Sequence, residues 1–411
     1  MRTNSLNKTI ILIVLVLSSF IVFFCLNESS LAIEGALLFA IMLASKMSKK
    51  TIVFIGPTLL ITLYLVVALA ASGRLMERDD YNIPWKFVVK FLNLLFAMMA
   101  GYGMTSLSKD RKRQVVIAGM VSLTISSIVS IFFVLFVHRE AIRFGRDLGI
   151  TGTFTFDQMY GAVVLAPGLL MFCLKSVKLV RRRILLVLCA LSVFACILLS
   201  ALTTALLLAL MGVALGFVMD ALDIKNPKKL MFWGIVVFLL FVLLMFRQQI
   251  GELLFGLTKN MSDYVKYRLQ RVIDMVFSTN HANAYTMDRR MELADYSLET
   301  FRKNPLFGCG IGEIRYGVIG YHQEWPDMLG VCGIVGTAVI IISLFIATRT
   351  IYRKCEQKID RQSMVLGIVL FLALGFLNPC LVFPELFGIF VILPNLSSLC
   401  TKAAKSEHND V

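Results

Sequence analysis

The chain has 411 residues, 58% of them hydrophobic and 16% charged, where a soluble domain carries roughly 25% charged residues. Uncharged apolar runs recur from one end to the other, which excludes an ordinary soluble enzyme and reads as an all-α polytopic membrane helix bundle. The formal net charge of +15 suggests a nucleic-acid partner, but the excess lies in alternate loops, and that is the signature of membrane topology.

In chain order, twelve apolar spans are read near 9–26, 29–45, 51–71, 87–107, 115–137, 153–173, 184–200, 203–221, 230–246, 328–348, 363–378 and 382–399. The first lacks a clear small-residue cleavage site and further spans follow at once, so it reads as a retained helix. The second and eleventh are short enough to be partly re-entrant. The seventh and eighth are nearly continuous, with a break expected at Ser200–Thr204. The stretches 1–8, 46–50, 108–114, 174–183, 220–229, 349–362 and 399–411 are together strongly basic, whereas 72–86, 138–152 and 247–327 are together close to neutral. The positive-inside rule then puts both termini in the cytoplasm and the neutral loops outside, with no nucleic acid as partner. The organisation is nine spans in 1–246, a large external loop in 247–327, and three spans with a cytoplasmic tail in 328–411. No inverted repeat is evident.

The large loop has internal order. Residues 262–277 read as an amphipathic helix with Val265, Leu269, Val272 and Val276 on one face. A second helix, DRRMELADYSLETFRK, starts at Asp288 and stops at Asn304–Pro305, with Met291, Ala294, Leu298 and Phe301 as its apolar stripe. Then come Gly308, Gly310 and Gly312, as GCGIG. No strand and helix flank them, so a dinucleotide site is excluded. Two roles stay open: tight turns with close backbone packing, or a nest of backbone N–H groups facing an anion.

The polar residues around this loop need a purpose. His322 precedes the tenth span, with Glu324 and Asp327 close behind and Arg289 and Arg290 earlier in the loop. An imidazole, with an ordinary pKa of about 6.5, takes a proton near neutral pH. Arginine forks hold a diphosphate and stay charged where water is scarce. A base and a diphosphate clamp at the outer face of a membrane suit transfer from a lipid-diphosphate donor, whose leaving group must be stabilised. Arg139, Arg143 and Arg146 follow helical spacing in the loop 138–152, and Asp157 lies just inside the sixth span. Intramembrane ionisable groups such as Asp157, Glu34 and Lys90 either serve function or pair with one another. Trp325, Tyr316 and Tyr321 are candidates to stack on sugar rings or to anchor the interface. The nine cysteines form no CxxC and no Cys/His cluster, so neither a structural metal nor a disulfide framework is expected.

Arg290, followed fourteen residues later by NPLFGCGIGEI, then His322 and an apolar span with GIVG at 333–336, resembles the O-antigen ligase and polymerase family of bacterial membrane glycosyltransferases. The likeness is closest over 288–340. It is looser over 143–165, where GTFTFDQMYG resembles another family segment, and is topological elsewhere. The resemblance implies polyprenyl-diphosphate-linked glycans (undecaprenyl in bacteria) as donor and acceptor, an inverting transfer without metal or other cofactor, His322 as the essential histidine and Arg290 as the arginine of the external helix. A second family arginine is expected where two helices break. Here that stretch reads LSALTTALL, and Thr203 stands in its place. Arg143, Arg146 or Arg289 is the candidate to supply the missing charge.

The expectation is therefore a multi-pass protein of the bacterial inner membrane with its site on the periplasmic side. It would be a polymerase moving a glycan to a hydroxyl of another lipid-linked repeat unit, with membrane lipids and a chain-length regulator as further partners. His322 and Arg290 are the catalytic candidates, and Arg289, Arg143, Arg146, Glu324, Asp327 and Asp157 the substrate-binding ones. The sibling ligase, which passes the finished glycan to a lipid core or protein, and a flippase for the same lipids are the alternatives.

Overall fold

The computed structural model describes residues 2–23, 49–72, 83–138, 142, 154, 156–176, 183–200, 202–221, 251–254, 256, 266, 270, 273, 285–315 and 317–400. The spans read at 29–45 and 230–246, the helix at 262–277, and Glu34, Arg139, Arg143, Arg146 and Tyr316 lie outside these residues.

Among the described residues the chain is helical, with no strand. In hydrocarbon no water satisfies the backbone, and a helix satisfies it internally. The long uncharged runs accordingly become α1 (Arg2–Phe23), α2 (Lys49–Ala71), α3 (Ile83–Thr105), α4 (Lys109–Phe136), α5 (Phe156–Ser176), α6 (Arg183–Leu199) and α7 (Thr203–Ala221). After the loop helix α8 (Tyr285–Lys303) come α9 (Glu324–Tyr352), α10 (Lys358–Gly375) and the short α11 (Phe383–Phe387). Stretches within α2, α3, α4, α5 and α9 are long and apolar enough to cross a membrane, and shorter apolar stretches lie in α1, α6, α7 and the last span. The break between α6 and α7 falls where LSALTTALL suggested. Ser200 Oγ donates to Ile197 O (2.8 Å) and accepts from Leu202 N (3.3 Å), which closes the end of α6.

The last span departs from its plain reading. α11 widens into a π-helical turn at Gly388–Ile392 and tightens into a 3₁₀ segment at Leu393–Leu399. Residues 384–400 are all buried, among them Leu386, Phe387, Val391, Leu393 and Leu396 at 0% exposure. This segment is the axis of the bundle, packed by α3, α4, α5 and α10. Its lower end is tied to α10: Ser397 N donates to Asp360 Oδ1 at 2.8 Å.

The two ends of the bundle differ in charge. At one end Lys112 pairs with Glu356 (3.1 Å), joining two basic loops, and Lys175 donates to Gln362 (3.1 Å). At the other, Gly312 approaches Ser72, and the N–H groups of Cys380 and Leu381 meet Glu324. Among the described residues, the basic loops 108–114 and 349–362 thus meet at one end, and Ser72 of the near-neutral loop 72–86 meets Gly312 of 247–327 at the other. The candidate site lies at the second, near-neutral end.

Candidate functional site

The helix α8 matches the expected stop, ending at Lys303 before Asn304–Pro305, but its buried face is not the apolar stripe read from the sequence. Met291 is 61% exposed, and Ala294, Leu298 and Phe301 are half-buried. The buried positions are Leu293, Ser297 and Thr300, at i, i+4, i+7. The face turns this way because its hydroxyls have partners. Thr300 Oγ1 donates to Val318 O at 2.6 Å, and Ser297 Oγ donates to Asp327 Oδ1 at 2.6 Å. A buried hydroxyl with a partner carries no desolvation penalty to speak of, and counting apolar residues misses it. Small residues also bring α8 close. A Cβ on Gly330 would lie 2.9 Å from Ser297 O, and one on Gly320 would collide with Leu293 O.

The GCGIG turn closes a gap in α9. That helix is interrupted at Gly333, whose φ of 61° and ψ of −166° are non-helical. In an unbroken helix Ile334 N–H and Val335 N–H would reach the carbonyls of Gly330 and Val331. Here those four groups find substitutes in one loop. Ile334 N donates to Pro305 O (2.9 Å) and Val335 N to Leu306 O (3.1 Å), while Cys309 N donates to Gly330 O (2.9 Å) and Gly310 N to Val331 O (3.0 Å). NPLFGCG and the GIVG of α9 are therefore two halves of one backbone joint. Of the two roles open to the glycines, close packing is the one observed. The N–H groups of Gly308, Cys309 and Gly310 point to carbonyls, Gly308 to Asn304 O at 2.9 Å, and not toward an anion site.

His322 sits on a bend between this joint and α9, exposed at its side chain. The residue before it, Tyr321, has φ 61°, the only non-glycine with positive φ among the described residues. Such a conformation costs on the order of 1–2 kcal/mol and persists only where neighbours impose it. The neighbours are specific. Gly320 N donates to Ser297 Oγ (2.9 Å), and Gln323 N donates to Asp327 Oδ2 (3.3 Å). The Tyr321 ring stands edge-on to Phe87 of α3, with centroids 6.4 Å apart.

Glu324 and Asp327 open α9, and both are buried, at 0% and 1% exposure. Glu324 Oε1 meets Lys90 Nζ at 2.8 Å, and Oε2 accepts from Cys380 N (2.8 Å) and Leu381 N (3.0 Å). Both oxygens thus serve a junction of α3, α9 and the loop before α11. Lys90, left open in the sequence between pairing and function, is paired. Trp325 packs on α10, with Nε1 donating to Leu372 O at 2.8 Å and its ring against Gly375 and Phe371. Neither Ser297 nor the Lys90–Glu324 pairing was readable beforehand. A second i, i+4, i+7 row through Leu293, Ser297 and Thr300 was the one available sign of the former.

The remaining candidates are positioned by their helices alone. Arg289 and Arg290 lie in the first turns of α8, and Arg290 is two turns ahead of Ser297 along it. Asp157 is in the first turn of α5, and Thr203 begins α7. Beside α8, a cleft of about 420 Å³ is lined by Tyr296, Thr300, Asn304, Cys309, Glu313 and Val318. Burial pushes the Cys309 thiol there up to about 11. Among the described residues no three His, Cys, Asp or Glu side chains converge as a metal site would require.

Compared with known proteins, residues 184–341 match the family model described as O-Antigen ligase. No curated protein and no solved structure matches the chain. The matched stretch runs from α6 through α7 and α8 to the middle of α9, and so includes the break at Thr203, the joint of glycines and the bend of His322.

Proposed function

Taking the chain as an O-antigen ligase/polymerase family protein over residues 184–341, we propose that it transfers a glycan from polyprenyl diphosphate to a hydroxyl of another lipid-linked repeat unit, as a polysaccharide polymerase. The acceptor oxygen attacks the anomeric carbon from the face opposite the diphosphate. The bond from that carbon to the diphosphate oxygen breaks, its electron pair leaves with the diphosphate, and the hydroxyl proton passes to His322. Inversion at the anomeric carbon follows from that geometry. Arg290, with Arg289, balances the charge that grows on the diphosphate. Arg143, Arg146 or Arg289 is the candidate to supply the charge that Thr203 does not carry.

The observation that carries this reading is the attachment of the His322 bend to α8, the helix that bears Arg290, through Ser297. A base and a cation carried by elements bonded to one another suit a reaction in which proton loss and leaving-group departure are concerted. The polar cleft beside the C-terminal half of α8, with a tyrosine, an asparagine and a glutamate in its wall, supports room for saccharide along the same helix. Contact between the basic loops 108–114 and 349–362 at the opposite end of the bundle supports a site on the periplasmic side.

The family description favours a second reading, a ligase that hands the finished glycan to lipid A-core or to protein. One assay separates the two. The purified protein in liposomes is given undecaprenyl-diphosphate-linked repeat units, first alone and then with lipid A-core. Long polymer without other acceptor identifies a polymerase, and turnover that waits for lipid A-core identifies a ligase. His322→Ala is expected to lower either activity about 100-fold or more. A His322→Ala protein that still turns over at the wild-type rate removes the histidine from the mechanism.

A further inference from the structure

We propose that Ser297 and Asp327 are positioning residues, a buried clasp that fixes where His322 stands relative to α8. The inference rests on the reading of His322 as the base. Three hydrogen bonds define the clasp: Ser297 Oγ to Asp327 Oδ1 at 2.6 Å, Gly320 N to Ser297 Oγ at 2.9 Å, and Gln323 N to Asp327 Oδ2 at 3.3 Å. The N–H groups held are those on either side of the Tyr321–His322 pair, so both ends of the two-residue bend are fixed by one unit. Ser297 is 0% and Asp327 1% exposed, which keeps water from competing for these bonds. Tyr321, inside the clasp, is the residue with φ 61°. Backbone strain next to a candidate base is what a bend held for function would show. Gly320 and Gly330 let α8 approach closely enough for Ser297 to reach both partners, since a Cβ on either would meet α8 backbone. The hydroxyl is not needed to fill space, because Leu293 and Thr300 bury the same face on either side. Asp327 also feels the charges of Lys90 and Glu324, which keep their own bond at 2.8 Å, so that pair is the electrostatic neighbour of the clasp.

Misplacing a reacting group by about 1 Å can cost about 100-fold in rate. Ser297→Ala is therefore expected to lower kcat of the reconstituted protein about 100-fold with KM for the lipid-linked repeat units changed less than threefold. Hydrogen exchange should quicken in peptides covering 318–324 and stay unchanged in α9 beyond Gly333. The decisive comparison is the double variant. A residue that acts through His322 adds nothing once the imidazole is gone, so Ser297→Ala in the His322→Ala background should leave the residual rate unaltered. A further drop as large as in the wild-type background would show a merely structural role and overturn the proposal, as would a wild-type kcat in Ser297→Ala. Should Ser297→Ala fail to fold, Asp327→Asn, which keeps the shape and one acceptor, is expected to give a smaller loss of kcat with the same exchange pattern. Unchanged kcat and exchange in Asp327→Asn would equally overturn the clasp. A fully active His322→Ala protein would instead overturn the reading of the base, with the exchange result still reporting on the clasp itself.

Discussion

Gly333 in α9 lies directly on the backbone of Gly308, so that a Cβ at Gly333 would stand 2.5 Å from Gly308 N. The contact makes the external turn and the interrupted span inseparable, since each supplies the hydrogen bonds the other lacks. It predicts a graded response to alanine. Gly333→Ala combines a positive φ with a collision against Leu306 O at 2.4 Å, and is expected to cost about 3 kcal/mol. Gly310, with φ 75° and ψ 165°, occupies the same glycine-only backbone region but faces open space, so Gly310→Ala should cost less, about 2 kcal/mol. Thermal unfolding of the detergent-solubilised protein would rank the two. Equal losses would mean that the joint is not packed as described.

A similar asymmetry is expected at the Lys90–Glu324 pair. Glu324 is fully buried, whereas the Lys90 side chain keeps 15% of its exposure. Removing the lysine leaves a buried carboxylate without its counter-charge, so Lys90→Met should destabilise by about 3 kcal/mol. Glu324→Gln retains an acceptor for the N–H groups of Cys380 and Leu381 and leaves Lys90 a route to solvent, and should cost less. The double variant Lys90→Met, Glu324→Gln is expected to be more stable than Lys90→Met alone. A double variant that simply sums the two losses would count against the pairing.

These two contacts mark where a linear reading succeeds and where it stops. Apolar runs and their charged flanks reveal the spans because the bilayer acts on each run separately. The stop of α8 at Asn304–Pro305 and the break before Thr203 are likewise local, being matters of backbone chemistry within a few residues. Lys90 and Glu324 are 234 residues apart, and nothing near either signals the other. Ser297 is invisible in an apolar stripe because a stripe is defined by residue type, whereas burial of a hydroxyl depends on a partner elsewhere in the chain. The last span misled for a related reason. Its apolar run reads as one straight helix, but it is packed on all sides and carries Pro394, which has no N–H to donate, where the π turn gives way to the 3₁₀ segment. Of the candidate site, residue types and their order were legible, and the bonds that hold His322 to α8 were not.

Cys309 offers a test by pH. Burial raises its thiol pKa to about 11, so the neutral form dominates through the physiological range. Alkylation proceeds through the thiolate. Its rate at Cys309 should therefore be slow at neutral pH and rise about tenfold per pH unit until near 11, whereas an ordinary thiol levels off near 8.5. Iodoacetamide labelling followed by mass spectrometry of the peptide carrying Cys309 gives the profile. Levelling off near 8.5 would place that side chain in water and open the wall of the cleft.

Trp325 distinguishes packing from sugar binding. Its ring lies on Gly375, where an added Cβ would come within 2.4 Å of the indole, and its Nε1 donates to Leu372 O. A ring held between α9 and α10 has little face left to stack on a saccharide. Trp325→Phe removes the hydrogen bond and part of the contact, and is expected to lower stability by about 1–2 kcal/mol with KM for lipid-linked repeat units essentially unchanged. Gly375→Ala should destabilise more than Trp325→Phe, because the indole cannot retreat while its N–H is bound. Combining Gly375→Ala with Trp325→Phe should recover part of that loss, since the smaller ring leaves room for the new methyl group. If Trp325→Phe instead raised KM severalfold at unchanged stability, the indole would belong to the glycan site after all.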